Sequence, residues 1–592
     1  MNQLPLLVQK RPVSISTNPK YFKTETDESK LPQLKNYDIA IDYYTKGINN
    51  DKTNIYFLIK RAICYLGKGF YTLALKDALK TIQIDKKYQK GYYIASLAYL
   101  EMYDIEKAES IITDKTKIDN PRLLYLLEKT KKDIQRKCLK FKSYSKFIYF
   151  LQVLYKNDSF FPKLEIQFYS DDSRGIIAKS AIQKEEIIMT IPKSCLISLE
   201  VAASTPLGKS IKQFMYKELD SPKHCLLSAY FLSEEKSERW KFYFDLLPKD
   251  FSIFPVFYTE KELELLTGSP FLKQILEKRV EMKSDYDKIC NNIPEFSQYS
   301  YIKFVKARLI ISSRIFGIAI DGVNTDVLAP FADLLNHRNP RQTNWYYDDS
   351  MNSFVIQAIE DIPKGSEIFD SYGMKTNARF LLNYGFVLED NETNEYPLTI
   401  KFNENFPLYD VKKTFFQKEK RQTRTFKLNT NIYDSELYNM LSFLRFILYD
   451  GDSELLYSSF FIDKDSFEYG PDISASICSS LPPLTKELEI QTLKFFHYLC
   501  RDALSKYPTT YEEDKMLLKS KKNISYNMRN CLILIMSEKK VLLYHINFCE
   551  YCLKLLKMNQ LQIIEKVNSD YNDYECQFSQ YIQNVILKLV DY

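Results

Sequence analysis

The sequence comprises 592 residues, of which 45% are hydrophobic and 27% charged, with a formal net charge of +6. Several domains are expected, because one core rarely serves more than about 250–300 residues, and so mild a charge argues against direct nucleic-acid binding. No run reaches the roughly 18 apolar residues of a membrane helix, and residues 1–8 lack the basic head and apolar length of a secretion signal. We therefore expect an intracellular protein, cytoplasmic, nuclear or both, that does not bind membranes.

The cysteines give no sign of a metal site. Eleven are present, and in an intracellular protein they are expected to be reduced. Cys549 and Cys552 form a C-x-x-C pair on a helical pattern, without a second pair near it. Because a structural zinc ion needs four ligands at set spacing, the sequence predicts no metal.

The N-terminal part of the chain contains an internal repeat. Residues 1–33 are polar and contain several prolines, which predicts a flexible arm. From 34 to 120, Ala40, Ala74 and Ala108 recur at an interval of 34 residues, each within a helical pattern. A helix–turn–helix period of this length is similar to that of tetratricopeptide repeats, whose stacked helices form a concave surface for a peptide or protein partner. An ordinary bundle of helical hairpins is the alternative.

The middle of the chain changes from helical to strand-like patterns. A basic segment over 121–160 predicts a solvated connecting helix. Strands are predicted at 161–168 and 185–192, on either side of a turn. The following segment, 199–300, has helical patterns, and we expect its Trp240 to pack in a core rather than to take part in chemistry.

The stretch from 328 to 386 combines three unlike features. An apolar run ends in Asp333-Leu334-Leu335-Asn336-His337, and a strand–turn–strand pattern leads to Ser371-Tyr372-Gly373. A short helical pattern then ends in Tyr384-Gly385-Phe386. This combination resembles the catalytic half of SET-domain protein methyltransferases, in the branch similar to the Rubisco large-subunit methyltransferase.

The resemblance implies a multidomain α+β fold. We expect the N-terminal helical repeat, then a β-rich SET fold over 161–390 with a helical insert at about 199–300. A linker over 391–434, with one or two strands, is expected to lead to a mostly helical substrate-binding domain over 435–592. Within the SET fold, the 366–373 strand should pass through the loop that carries the Asn-His pair, which brings the two motifs together as a threaded pseudoknot.

The same resemblance implies S-adenosylmethionine as the cofactor and a protein side chain as the methyl acceptor. Tyr372 is then the catalytic residue, with its hydroxyl beside the sulfonium and the target nitrogen. Arg314, at the end of a helix, faces the carboxylate of the cofactor. Asn336 and His337 hold the adenine, and Asp333 braces their loop. The residues expected at the cofactor are Asp172, Ser173, Arg174, Arg314, Asp333, Asn336, His337, Tyr384, Gly385 and Phe386.

The turn at 172–175 departs from the family pattern. It usually reads Glu-Gly-x-Gly-Leu, whereas here Ser173 replaces one glycine and its Cβ narrows the approach of a ligand. This departure gives some support to an alternative of another class: a SET fold that has lost activity and serves as a scaffold or adaptor, binding partner proteins through its repeats.

Two residues bear on the identity of the methyl acceptor. A related branch that methylates histidine in actin carries Asn two positions after the helix-end Arg, and Trp before the Asp. Phe316 and Ala332 occupy those positions here. An aromatic wall and a small residue suit an alkyl-ammonium channel better than an imidazole pocket, so we expect a lysine-bearing protein as the substrate. A protein-histidine methyltransferase is the narrower alternative.

Overall fold

The chain divides into two compact units. One comprises Met1–Lys249 with Asp285–Gly373, and the other comprises Asp250–Ser284 with Met374–Tyr592. The arm expected over 1–33 lies outside the described residues. The computed structural model describes residues 37–113, 121–141, 143–170, 173–214, 216–416, 423–430, 435–452, 483–520, 524–569 and 578–590.

Seven helices come first along the chain. They are α1 (Tyr37–Asn50), α2 (Ile55–Lys68), α3 (Tyr71–Ile84), α4 (Gln89–Glu101), α5 (Ile105–Thr113), α6 (Pro121–Lys140) and α7 (Tyr144–Lys156). Helices α1, α3 and α5 begin 34 residues apart, and each helix from α1 to α5 packs on the next. Ala40, Ala74 and Ala108 are buried, so a larger side chain at these positions would push neighbouring helices apart. The segment expected to hold one connecting helix holds two, α6 and α7.

Short strands and the helical insert follow. They are β1 (Leu164–Phe168), β2 (Arg174–Ala178), β3 (Ile187–Pro192), β4 (Ile197–Ser198), α8 (Leu199–Ser204), α9 (Pro206–Phe214), α10 (Pro222–Ser233), α11 (Glu238–Phe244), α12 (Glu260–Glu264), α13 (Pro270–Asn292), α14 (Tyr301–Arg314), β5 (Ile315–Ile320), β6 (Val323–Leu328), β7 (Asn336–His337), β8 (Thr343–Asp348), β9 (Ser353–Ala358) and β10 (Glu367–Asp370). The strands form three small sheets, ordered β1-β2-β10-β7, β3-β9-β8 and β4-β6-β5. Alternation in sequence sets the buried face: Leu164, Ile166 and Phe168 of β1 point inward.

One pairing in these sheets is parallel. Strand β10 pairs with β7, with Phe369 opposite Asn336 and Asp370 opposite His337. Every other pairing between the strands described in this unit is antiparallel. The Asn-His motif and the strand that leads to Tyr372 are therefore neighbours, as the resemblance implies.

The second unit is mostly helical around one hydrophobic core. Its elements after residue 374 are α15 (Asn377–Tyr384), β11 (Tyr396–Lys401), α16 (Tyr409–Phe416), β12 (Thr423–Leu428), α17 (Ser435–Leu448) and helices over Lys486–Ser505, Tyr511–Ser520, Tyr526–Leu555, Gln560–Ser569 and Ser579–Asn584. No helix of the residues described here is long and apolar enough to cross a membrane.

Two boundaries differ from those expected. The strands expected within the linker over 391–434 are β11 and β12, which form an antiparallel pair, but the segment is part of the domain, because residues such as Ile400 and Phe426 lie in its core. Alternating apolar residues in β11 bury one face of the strand, which a linker would not do. Part of the expected insert also belongs to this unit, because Leu266 and Phe271 are fully buried in the same core.

Candidate active site

Hydrogen bonds join the Asn-His motif to the Tyr-Gly motif, beside the parallel pairing of β7 and β10. The backbone N–H of Tyr372 donates to Nδ1 of His337 at 3.0 Å. The two rings stack with centroids 5.1 Å apart and planes 29° apart. Because Nδ1 accepts this bond, the proton of the neutral imidazole lies on Nε2. The structure thus gives His337 an orienting contact with Tyr372.

The phenol of Tyr372 has a fixed direction. Its hydroxyl donates to the carbonyl oxygen of Leu335 at 2.8 Å, so the lone pairs of the phenol oxygen remain able to accept. The turn beside it is held by Ser371, whose hydroxyl donates to Oδ1 of Asn339 at 2.7 Å and accepts from the backbone N–H of Gly373 at 3.2 Å.

A second cluster forms around the buried carboxylate of Asp333. Nη1 of Arg314 donates to Oδ2 of Asp333 at 2.9 Å and to its backbone carbonyl at 3.0 Å. The hydroxyl of Tyr243 donates to the same Oδ2 at 2.8 Å. Burial raises the pKa of Tyr243 well above its ordinary value, and the Asp333 carboxylate adds to the shift. The Tyr243 phenol therefore remains a proton donor.

The guanidinium of Arg314 stays protonated in this cluster. Burial lowers the pKa of the guanidinium, but the Asp333 carboxylate and the phenols of Tyr243 and Tyr372 together raise it, and the net shift is upward. Oδ1 of Asp333 is buried, and it accepts no hydrogen bond from the residues that the structure describes. A buried acceptor without a donor is costly, and it marks the cluster as a place where a further polar group fits.

Asn336 has its side-chain amide oriented by two acceptors. Nδ2 donates to Oε1 of Glu367 at 2.7 Å and to the backbone carbonyl of Arg174 at 3.0 Å. Oε2 of Glu367 in turn accepts from the hydroxyl of Tyr169 at 2.7 Å. A Cβ at Gly175 would come within 2.2 Å of Oε1 of Glu367. The glycine therefore leaves the space in which Glu367 orients the Asn336 amide.

The turn at 172–175 is seen in part, because Asp172 lies outside the described residues. The backbone N–H of Ser173 donates to the hydroxyl of Ser170 at 3.0 Å. The guanidinium of Arg174 donates to the carbonyl of Leu246 at 2.7 Å and lies 4.9 Å from the ring centroid of Phe147. The side chain of Arg174 thus joins this turn to α7 and to the segment that follows α11, while its backbone reaches Asn336.

The two residues predicted to line the acceptor channel lie on different elements. Phe316, on β5, meets Trp345 and Phe354 edge to face at 5.5 and 5.1 Å. Ala332 is fully buried and begins the 3-10 turn Ala332–Leu334 that carries Asp333. Phe316 is thereby held by two further aromatic rings.

The remaining predicted cofactor residues belong to the second unit. Tyr384 ends α15, and Gly385 follows in the left-handed conformation with φ of 78°. The ring of Phe386 stacks on Phe380 at 5.1 Å, and the ammonium of Lys375 lies 5.8 Å from the ring centroid of Tyr384. A role for Tyr384, Gly385 and Phe386 in cofactor binding stays a prediction.

A buried carboxyl group directly precedes the Ser-Tyr-Gly motif. Asp370 is 2% exposed, and the hydroxyl of Thr343 donates to its Oδ1 at 3.2 Å. Burial raises the pKa of Asp370 to about 6, against the lowering effect of its hydrogen bonds. This carboxyl changes charge near neutral pH.

Sequence reasoning did not assign three of these residues to the site. Tyr243 lies in the Arg239–Pro248 motif of the insert, which indicates scaffold, and Glu367 lies in an ordinary turn–strand pattern. Asp370 looks like an exposed strand-end acid. The signal that could have found Glu367 is the glycine at 175, because a strand glycine often marks a close approach of another group.

Comparison with known proteins identifies the two domains. A SET domain model matches residues 173–373, and a model described as Rubisco LSMT substrate-binding matches residues 403–542. The chain carries a SET domain and a Rubisco LSMT substrate-binding domain. The resemblance seen in the sequence is thereby confirmed, and so is the α+β fold class. Both matches lie outside residues 34–120, where the assignment to tetratricopeptide repeats stays a prediction.

Individual relatives of this SET domain protein are distant. It is 27% identical over 390 residues to the [fructose-bisphosphate aldolase]-lysine N-methyltransferase of Arabidopsis thaliana, covering 62% of this chain and 75% of that one. It is 24% identical over 394 residues to the actin-histidine N-methyltransferase of Danio rerio, covering 64% of each. The structure of the SET domain of LSMT bound to lysine and AdoHcy aligns with a TM-score of 0.55 at 20% identity, over 71% of this chain and 94% of that one.

Proposed function

We propose that this chain transfers a methyl group from S-adenosylmethionine to a lysine side chain of a protein. The observation that carries the proposal is the hydrogen bond between Tyr372 and His337 of the Asn-His pair. The same SET domain also contains the oriented amide of Asn336 and the ion-paired guanidinium of Arg314. Both domain matches support it, as does the lysine N-methyltransferase among the relatives.

The residues present fit the cofactor. Arg314 supplies a positive charge for a carboxylate, with Asp333 and Tyr243 fixing its position. Because Asn336 turns its Nδ2 toward Glu367 and the Arg174 carbonyl, its Oδ1 is the atom able to accept from an adenine amine. We assign Arg314, Asn336 and His337 to cofactor binding, with Ser173 and the backbone of Arg174 beside them.

The chemistry needs a neutral, directed amine. A lysine with a pKa near 10.4 is neutral in only about one molecule in 2,500 at pH 7, which corresponds to roughly 4.6 kcal/mol. The cofactor, when bound, supplies a methyl group on a positively charged sulfur, whose charge lowers the pKa of a nearby amine. Tyr372 accepts an N–H of that amine and directs its lone pair, while Leu335 holds the phenol in place. Positioning then supplies most of the catalytic effect.

A general base is not assigned to this site. Nδ1 of His337 already accepts from the backbone of Tyr372, so taking a proton there would break the contact that orients the phenol. His337 therefore acts through Tyr372, and we assign it a positioning role beside its contact with the cofactor.

Lysine is favoured over histidine as the acceptor. The relatives include enzymes of both kinds, so similarity alone does not decide. Phe316 is enclosed by Trp345 and Phe354, and Ala332 adds little bulk. An apolar, ring-lined wall offers no hydrogen-bond acceptor to an imidazole N–H, but it suits an alkyl chain that ends in an amine.

We further propose that the helical repeats and the substrate-binding domain recruit the protein substrate. Helices α2 and α4 contact each other as well as α3, and this contact supports a stacked helical repeat. The intracellular location expected from the sequence is part of the same proposal.

Calorimetric titration of S-adenosylmethionine into the purified chain tests the proposed function. We expect micromolar binding by the wild type and by Tyr372→Phe, because the hydroxyl orients the acceptor rather than the cofactor. Tyr286→Phe is a matched control, since its hydroxyl also donates to a backbone carbonyl, that of Tyr299, at 2.7 Å. Absence of binding by the wild type would contradict the proposal and favour the hypothesis of an inactive scaffold.

A further inference from the structure

Phe331 has a backbone conformation that bulky residues rarely adopt. Its φ is 82° and its ψ is −44°. These angles are close to those of the γ-turn with positive φ, a three-residue turn that is rare and strained. The residue directly precedes the 3-10 turn Ala332–Leu334 that carries Asp333. Such strain persists only where the surroundings hold it in place.

Aromatic rings hold Phe331 in this conformation. Its side chain is 1% exposed, and its ring centroid lies 4.2 Å from that of Phe161. Phe161 lies 4.4 Å from Tyr155 of α7, and Tyr155 lies 5.5 Å from Tyr71. We call these four rings, Tyr71, Tyr155, Phe161 and Phe331, the ring chain.

The ring chain begins in the helical repeats. Tyr71 is the first residue of α3, and neighbouring contacts seat the same part of the repeats on the strands. Phe70 packs on Phe160 at 4.8 Å, and Lys179 pairs with Glu101 of α4 at 2.9 Å. The repeats are therefore packed against the SET strands rather than attached through a linker alone.

A second path from α7 reaches the same carboxylate. Phe150 of α7 stacks on Tyr243 at 6.4 Å and lies 6.3 Å from Phe331. Tyr243 donates its hydroxyl to Asp333. Both the backbone turn before Asp333 and the hydroxyl that binds its carboxylate are thus supported by rings of α7 and its neighbours.

We propose that Phe331 is a positioning residue, held by the ring chain so that Asp333 is presented to Arg314, and that the helical repeats thereby support the active site in addition to recruiting substrate. The consequence for the cofactor rests on the proposed function. The consequence for the turn itself does not, so the two are tested separately.

Hydrogen exchange of the turn amides tests the structural part without any ligand. The backbone N–H groups of Asp333, Leu334 and Leu335 are bonded within or beside this turn. In Phe331→Leu and Phe161→Leu we expect them to exchange about tenfold faster than in the wild type. Phe296→Leu is the control, because Phe296 is equally buried in the same unit but packs on Tyr299 and Phe304 instead. Equal protection in Phe161→Leu and the wild type would overturn the proposal.

Cofactor affinity tests the functional part. We expect Phe161→Leu to weaken S-adenosylmethionine binding about tenfold, and Phe296→Leu to leave it within twofold at a similar loss of melting temperature. Tyr71→Leu should weaken binding and Tyr71→Phe should restore it, since only the ring is needed. If Phe296→Leu weakened S-adenosylmethionine binding as much as Phe161→Leu does, the ring chain would contribute only to general stability, and the proposal would be wrong. If the wild type binds no cofactor, the proposed function fails, while the exchange measurement still decides the role of the turn.

Discussion

The imidazole of His337 and the backbone of Tyr372 are joined by one hydrogen bond of 3.0 Å, across 35 positions of sequence. This bond constrains the site more than the stacking of the two rings does. It fixes which nitrogen of His337 bears the proton, and it fixes the peptide that presents the phenol. The pair therefore acts as one rigid unit, supported by the parallel pairing of β7 and β10.

Replacing His337 with Asn and with Leu separates orientation from acid–base chemistry. An Asn Oδ1 can accept the Tyr372 N–H much as Nδ1 does, so we expect His337→Asn to retain methyl transfer within about tenfold. His337→Leu removes the acceptor and should lose about 100-fold or more. Rates at saturating cofactor measure both variants. Equal losses would instead indicate that the imidazole takes part in proton transfer.

Asp333→Asn removes the charge that faces Arg314. We expect about 3 kcal/mol loss of unfolding free energy, because a buried guanidinium is left without its ion-pair partner, and at least tenfold weaker S-adenosylmethionine binding. Asp285→Asn is a matched control, since Asp285 pairs with the buried Arg308 at 2.8 Å. Denaturant titration and calorimetry on both variants should show similar destabilisation, with the affinity loss confined to Asp333→Asn.

Gly175→Ala should act on Asn336 through Glu367. The added Cβ meets Oε1 of Glu367 at 2.2 Å, and it comes within 3.1 Å of Nδ2 of Asn336 itself. The larger overlap is with the flexible end of Glu367, so its carboxylate swings away at little cost in stability and releases the Asn336 amide. We expect about tenfold weaker cofactor binding, equivalent to about 1.4 kcal/mol, and a similar loss in Glu367→Ala. Gly317→Ala, where the added Cβ would lie 3.6 Å from Oδ1 of Asp326, should bind normally. Additive losses in the Gly175→Ala/Glu367→Ala double variant would argue against a shared mechanism.

Stability should depend on pH through Asp370. Burial raises its pKa to about 6 in the folded chain, above the roughly 3.9 of an unfolded Asp. The folded state therefore binds the proton more tightly, and the contribution of this group to stability is present at low pH and lost as pH rises through about 6. We expect the free energy of unfolding, relative to Asp370→Asn, to fall by about 1 kcal/mol between pH 5 and pH 7.5. Denaturant titrations at several pH values check this, and a constant difference would contradict it.

Local patterns were sufficient for much of the fold. The 34-residue alanine spacing marks helices that begin at Tyr37, Tyr71 and Ile105, because helix crossings need small residues at a fixed period. The motifs around Asn336 and Tyr372 were recognised by resemblance, and their pairing follows from the shared fold.

Long-range packing explains what the sequence did not reveal. Tyr243 and Asp333 are 90 positions apart, and no local pattern links a tyrosine of the insert to a carboxylate of the loop. The positive φ of Phe331 is imposed by rings from distant segments, against its own preference. The expected linker forms β11 and β12 because their alternating residues complete a core built mainly by later helices.

Transfer of labelled methyl from S-adenosylmethionine to proteins of a cell lysate, with the modified residue identified by mass spectrometry, tests the central claim most directly. Wild-type protein and the Tyr286→Phe control should label lysine residues equally, and Tyr372→Phe should label them at least 100-fold more slowly. Labelling of histidine, or equal labelling by Tyr372→Phe and the wild type, would contradict the account.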